Sequence, residues 1–166
     1  MLCCCRKTGS TLPKQLGIKK IADNRKAFHE YFVLERFEAG IELAGTEVKS
    51  VRAGQVNLKD SFCTVKDGEL FVRGMHISPY EHGNIFNRDP VRPRRLLMHK
   101  REIVKLQARV MQDGVTLVPL SLYFKDSRVK VELGLCKGKK LHDKRESSAE
   151  RDTKREIDRV MKERNL

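Results

Sequence analysis

The stretch Tyr31-Phe32-Val33-Leu34-Glu35-Arg36-Phe37-Glu38-Ala39-Gly40-Ile41-Glu42-Leu43 decides how this chain folds. Aromatic and β-branched side chains crowd it, and Phe32 and Leu34 alternate with Val33 and Glu35, the period of a β-strand. The alternation breaks at Ala39-Gly40 and resumes with Ile41 and Leu43. A glycine that interrupts a strand predicts a bulge or sharp bend, which a sheet needs in order to close on itself.

The segments beyond this strand repeat the pattern of short elements and tight turns. Thr46–Ala53 reads as a short helix capped by Thr46 and stopped by Gly54, with Lys49 and Arg52 on one face. Ser61–Val65 and Leu70–Ile77 flank Asp67-Gly68, a strong hairpin signal. Residues 78–95 contain Pro79, Gly83, Pro90 and Pro93 and read as a loop, which carries Arg88, Arg92, Arg94 and Arg95. Leu96 and Leu97 lead into a helix from about His99 to Gln112, spaced by Ile103, Leu106 and Val110 and ended by Asp113-Gly114. A second hairpin, Val115–Phe124 and Arg128–Cys136, turns at Lys125-Asp126-Ser127. In its second arm Val129, Val131, Leu133 and Leu135 point one way, and Lys130 and Glu132 the other. The expected class is mainly β: a small closed antiparallel barrel of OB-like type, with about six strands and two or three short helices.

The ends differ from this core. Residues 1–22 read as a flexible basic arm, after which Asp23 or Asn24 can cap a helical turn. Residues 23–136 form the barrel. Residues 137–166 form a basic tail with a stripe of Ile157, Val160 and Met161 and a second of Arg151, Arg155 and Arg159. The tail has too few apolar side chains to order alone, so it is expected to be disordered until it folds as a helix on a partner.

Charge follows the same division. The net charge of +13 divides into +6 over residues 1–26, +3 over 27–136 and +4 over 137–166. A near-balanced core with basic ends predicts a polyanionic partner, nucleic acid or an anionic membrane. No apolar run approaches the ~18 residues of a membrane span, and the start lacks the apolar core of a signal peptide. A cytoplasmic, reducing setting is therefore expected, with free thiols. Cys3, Cys4 and Cys5 are contiguous, and Cys63 and Cys136 stand alone in strand-like runs, which is no zinc spacing. No metal and no cofactor is expected. The five His show no metal spacing, and no nucleophile elbow or phosphate loop occurs, so the chain does not read as an enzyme. A small metal-independent ribonuclease, with one His as base and another as acid, is the rival from that class.

Two basic clusters suit phosphate and 2′-hydroxyl contacts: Asn24-Arg25-Lys26 with His29, and Lys137-Gly138-Lys139-Lys140. Glu38 reads equally as a solvated carboxylate or as an acceptor for a base edge or an arginine. Aromatic residues make up only 6% of the chain, which favours structured RNA over stacked single strands.

The motifs Asn24-Arg-Lys-Ala-x-His29, Glu38-Ala-Gly40, Gly45-Thr-Glu-Val-Lys-Ser50 and Asn57-Leu-x-Asp60 come in order. His76-Ile-Ser-Pro-Tyr80, Gly83-Asn84, Arg94-Arg-Leu-Leu97, Gly138-Lys-Lys140 and Asp143-Lys-Arg145 come after them. Over roughly residues 18–166 this pattern resembles the SmpB family, the SsrA-binding proteins of bacteria. The resemblance implies an OB-like barrel and an adaptor without chemistry of its own. Such an adaptor binds the tRNA-like domain of tmRNA (SsrA RNA) and brings it to stalled ribosomes for trans-translation. It also implies indirect partnership with elongation factor Tu and alanyl-tRNA synthetase. Asn24, His29, Glu38, Leu97 and Lys130 match positions linked to tmRNA binding; we add Arg25, Lys26, Lys49, Lys137, Lys139 and Lys140 on grounds of charge. His142, Asp143, Lys144 and Arg145 match the tail segment that meets the 30S subunit near the decoding centre of the 70S ribosome. Val160 and Met161 match apolar tail positions needed after binding, and Ile157 completes their stripe. Another OB-type tRNA- or ribosome-binding factor is the nearest alternative. The pattern departs at Met1–Cys5, at Arg88 where His is frequent and at Cys136 where Ala is usual.

Overall fold

The computed structural model describes residues 18–140 and, beyond them, Thr153, Ile157, Arg159 and Met161, each in helical conformation. In chain order the elements are β1 (Lys19–Asp23), α1 (Arg25–Glu30), β2 (Tyr31–Ile41), α2 (Gly45–Arg52), β3 (Val56–Asn57), β4 (Phe62–Lys66) and β5 (Glu69–Arg73). Then come β6 (His76–Ile77), a 3₁₀ turn (Glu81–Phe86), β7 (Arg94–Leu97), α3 (Lys100–Asp113), β8 (Thr116–Lys125) and β9 (Arg128–Gly138).

Six strands close into an antiparallel ring in the order β8-β4-β5-β7-β2-β9, and β9 pairs back onto β8. β1 adds to β8, and β3 pairs with β6 as a separate two-stranded sheet. Two hairpins carry the closure. Asp67 and Gly68 both have positive φ, 53° and 73°, and so do Asp126 and Ser127, at 49° and 66°. Two consecutive positive-φ residues make the tight turn whose twist matches the flanking strands. Inward side chains fill the ring, among them Ala39, Leu70, Val72, Leu96, Leu117, Leu122, Val131 and Leu133, and Ile103 and Leu106 of α3 pack against them. Burial of this kind is worth about 1.5–3 kcal/mol per large aliphatic side chain.

A second, smaller core lies elsewhere on these strands. Ala27 of α1 packs with Val118 and Leu120 of β8 and Cys136 of β9, flanked by Tyr31 and Val33. A bulge at Leu120, between Pro119 and Ser121, delivers that leucine to it. Gly134 leaves room: a Cβ there would stand 2.9 Å from Leu120 Cδ1 and 3.0 Å from Cys136 Sγ.

Several expectations shift. β2 does not break at Ala39-Gly40; its irregularity is a bulge at Leu34, between Val33 and Glu35. Gly40 instead sits where β2 has β9 on one edge and β7 on the other. A Cβ on Gly40 would approach the Leu97 Cβ to 3.2 Å. α2 begins at Gly45 rather than at a Thr46 cap, because Glu47 Oε2 accepts the Ala44 N–H at 2.7 Å. The expected strand Leu70–Ile77 splits at Gly74, whose φ is +73° and whose added Cβ would meet the Asp60 carbonyl at 2.8 Å. Arg94–Leu97 is a strand, not the end of a loop and a lead into a helix, because Leu70 and Val72 of β5 pair with it. Residues 19–22, read as part of the arm, join β8 as β1, and β9 runs on to Gly138.

Candidate nucleic-acid interface

Asn24 builds the first part of the site from the inside. It is only 3% exposed. Its Oδ1 accepts the Ala27 N–H at 3.0 Å, capping α1, while its Nδ2 donates to the Pro119 carbonyl at 3.1 Å. Its own N–H donates to the Leu120 carbonyl at 2.8 Å. Of the two residues expected to cap this turn, Asp23 or Asn24, it is Asn24 that does so, which commits its side chain to holding α1 on β8. Arg25 is thereby exposed, Lys26 half-buried against Asp60, and His29 half-buried in the last turn. The hydrogen bond to Asp60 raises the Lys26 pKa and lowers that of Asp60.

The second part centres on Glu38. Tyr123 donates to its Oε2 at 2.6 Å, Lys125 Nζ lies 3.1 Å from the same oxygen, and Lys130 Nζ lies 3.5 Å from Oε1. The hydrogen bond from Tyr123, then that from Lys125, holds the Glu38 carboxyl below its usual range. Desolvation and the same bond push the Tyr123 hydroxyl up. Glu38 is thus an ionised acceptor at neutral pH, with a neutral donor and two cations around it. Lys130 and Leu97 both stand opposite Gly40 on its two neighbouring strands. With Ile41, Leu43 and Val48 they line a groove of about 400 Å³. The structure therefore brings Glu38, Leu97 and Lys130 together, although the chain separates them widely.

The two parts are joined along β2. Arg36 Nη1 lies 3.2 Å from Glu132, which stands opposite Glu38 and accepts from Ser121 at 2.8 Å. The same guanidinium lies over the Phe28 ring of α1, 6.0 Å from its centroid. The end of β9 is tied in as well. The Lys139 N–H donates to the Glu30 carbonyl at 2.9 Å, and its Nζ donates to the Phe28 carbonyl at 3.3 Å. Lys137 stands exposed opposite Phe32, and Lys140 is exposed at the last residue of the continuous described segment.

Lys49 lies on α2, with its ammonium 5.0 Å from the centroid of the Tyr80 ring. His142, Asp143, Lys144, Arg145 and Val160 lie outside the described residues. Ile157 and Met161 are helical and exposed. Among the described residues no three His, Cys, Asp or Glu side chains gather to hold a metal. None of the described helices is long and apolar enough to cross a membrane. Cys63 and Cys136 are buried free thiols, and desolvation pushes Cys136 up to about 11.

Two features escaped the sequence reading. Arg94 is fully buried and donates to Glu47 at 2.9 Å and to the carbonyls of Met75 and Pro90 at 2.7 and 2.9 Å. Arg92 donates to the same Glu47 at 2.6 Å. Arg92 and Arg94, both read from the sequence as loop residues, anchor structure. The run Arg94-Arg95-Leu96-Leu97 carries no alternating signal; the alternation is in burial, with 94 and 96 buried and 95 and 97 exposed. The second feature is a pair of exposed aromatic rings, Phe28 and Phe32, beside the basic clusters. Their spacing among bases was the available signal.

Known proteins share this chain's sequence almost throughout. A family model described as SmpB protein matches residues 21–163. The SsrA-binding protein of Acetivibrio thermocellus is 63% identical over 143 residues, covering 86% of this chain and 93% of that protein. That of Carboxydothermus hydrogenoformans is 60% identical over 146 residues, covering 88% and 98%. A solved structure described as "tmRNA-SmpB: a journey to the center of the bacterial ribosome" superposes with a TM-score of 0.64 at 48% identity, covering 78% of this chain and 94% of that one.

Proposed function

The chain belongs to the SmpB family, and we propose that it is a tmRNA-binding adaptor that acts with that RNA on stalled ribosomes in trans-translation. The observation that carries this reading is 63% identity to an SsrA-binding protein over nearly the whole of both chains. The six-stranded ring is read as an OB-like barrel, and its outer strip as the surface that meets the tRNA-like domain. Glu38 offers an ionised acceptor to a base edge, Lys130 a cation to phosphate, and Leu97 an apolar contact in the groove that it lines with Lys130. Asn24 acts indirectly, by holding α1 so that Arg25, Lys26 and His29 face the RNA. Lys137, Lys139 and Lys140 extend the strip toward the tail, and Lys49 meets the RNA from α2. His142 to Arg145 and the stripe Ile157, Val160 and Met161 are assigned to the 30S subunit at the decoding centre, where the tail is helical. Elongation factor Tu and alanyl-tRNA synthetase are indirect partners through the RNA, and the setting is the cytoplasm. The adaptor role asks for no catalytic group, metal or cofactor.

Sequencing the RNA that co-purifies with the protein from cells tests the reading. Strong enrichment of tmRNA is expected. Recovery of bulk tRNA or rRNA without tmRNA enrichment would instead identify another translation factor. Cleavage of a labelled structured RNA in the presence of a metal chelator would identify a ribonuclease.

A further inference from the structure

The junction of α1 and β2 exposes three large apolar side chains: Phe28 at 38%, Phe32 at 46% and Leu34 at 55%. Exposed apolar residues scattered singly are ordinary. These are grouped, and each aromatic ring carries a cation. Lys139 Nζ stands 4.7 Å from the Phe32 centroid, and Arg36 Cζ stands 6.0 Å from that of Phe28. The fold holds both cations in place. Lys139 is bonded to the Glu30 and Phe28 carbonyls, and Arg36 to Glu132. The bulge in β2 leaves Leu34 exposed and without a register partner on β9. Exposed Arg25 and Lys137 flank the group.

Aromatic faces interleaved with fixed cations suit one ligand chemistry. A nucleobase has a π-face that covers an exposed ring whatever its identity, while the neighbouring cations take the phosphates on either side. A base inside a helix has both faces covered by its stacked neighbours, so the ligand is an unstacked, unpaired nucleotide in a loop, bulge or strand end. We propose that Phe28 and Phe32 form a stacking site for an unpaired nucleobase of the bound RNA, with Lys137 and Lys139 at its phosphates. The inference rests on the RNA-binding role above and adds base-face recognition to a surface otherwise read as contacting the RNA by charge and hydrogen bonds.

The test uses the full chain and tmRNA transcripts carrying 2-aminopurine at one unpaired position at a time, because its fluorescence reports stacking. At one such position the wild-type protein is expected to quench emission, and Phe28→Ala and Phe32→Ala are expected to abolish that change. Each should weaken Kd about tenfold, the scale of losing one stacked base. Neither should alter the slope of log Kd against log salt, whereas Lys139→Ala should flatten it by about one unit. Phe28→Tyr should restore quenching. Phe28→Leu, which keeps apolar bulk, should match the wild-type unfolding temperature and still fail to quench. Wild-type binding with unchanged Kd for both alanine variants, and no responsive position, would overturn this inference alone. Failure of the wild-type protein to bind tmRNA would overturn the adaptor role, and this inference with it.

Discussion

Glu47 shows how much one side chain can organise. It is 6% exposed, yet it receives Arg92, Arg94 and the Ala44 N–H. Burial alone would raise its pKa; the bonds from Arg92 and Ala44 and the charge of Arg94 outweigh that and lower it below the ordinary glutamate value of 4.5. A depressed carboxylate contributes stability that is fully present above its unfolded pKa and is lost as pH falls through its folded pKa. Unfolding temperature measured against pH should therefore hold its Glu47-dependent part down to about pH 4.5 and lose it below. Glu47→Gln should be less stable at neutral pH by about 3 kcal/mol or more, because it strands the buried Arg94. Its profile should be flatter in acid; a variant as acid-sensitive as wild type would remove Glu47 as the cause. Nothing in composition separates Arg94, fully buried, from Arg95, which is exposed and bonded to Glu42 and Glu69. Only the strand they share decides which faces inward.

α1 is six residues long, too short to persist by its own propensity. Its persistence depends on the Asn24 cap and on Ala27 in the smaller core. Asn24→Ala should cost about 1–2 kcal/mol in urea unfolding, the range for a lost cap, with a stranded Pro119 carbonyl pushing toward the upper end. RNA affinity should fall too, although Asn24 is buried, because Arg25, Lys26 and His29 lose their support. Full affinity in a destabilised variant would show that the RNA does not need α1 ordered. The hairpins were legible in sequence because Asp67-Gly68 and Asp126-Ser127 encode their turns locally. β1 was not, because Lys19, Ile21 and Asp23 alternate too weakly to announce a strand, and the exposed edge of β8 creates one. For the same reason the cap at Asn24 could be read and the neighbourhood of Glu38, Leu97 and Lys130 could not. That neighbourhood exists only once β2 has β7 and β9 on its two edges at Gly40.

Taken whole, the proposed assignment separates holding RNA from what the tail does. The strip from α1 to the Leu97 groove lies entirely within residues 18–140, and the residues assigned to the ribosome lie beyond them. Deleting residues 146–166 should leave tmRNA affinity within about threefold, as it removes no residue of the strip, and should abolish peptide tagging in a reconstituted translation assay. A collapse of affinity would mean that the tail belongs to the RNA site. The backbone bond from Lys139 to Glu30 gives this division a length scale. It ties the chain down at the last turn of the helix that is proposed to face the RNA. The 26 residues from Leu141 to Leu166 therefore start from a fixed origin. As a continuous helix they would span about 39 Å, and in no conformation could they reach beyond about 90 Å. On the proposed assignment, the ribosomal surface met by His142 to Met161 lies inside that radius, measured from the anchor and carried wherever the RNA carries it.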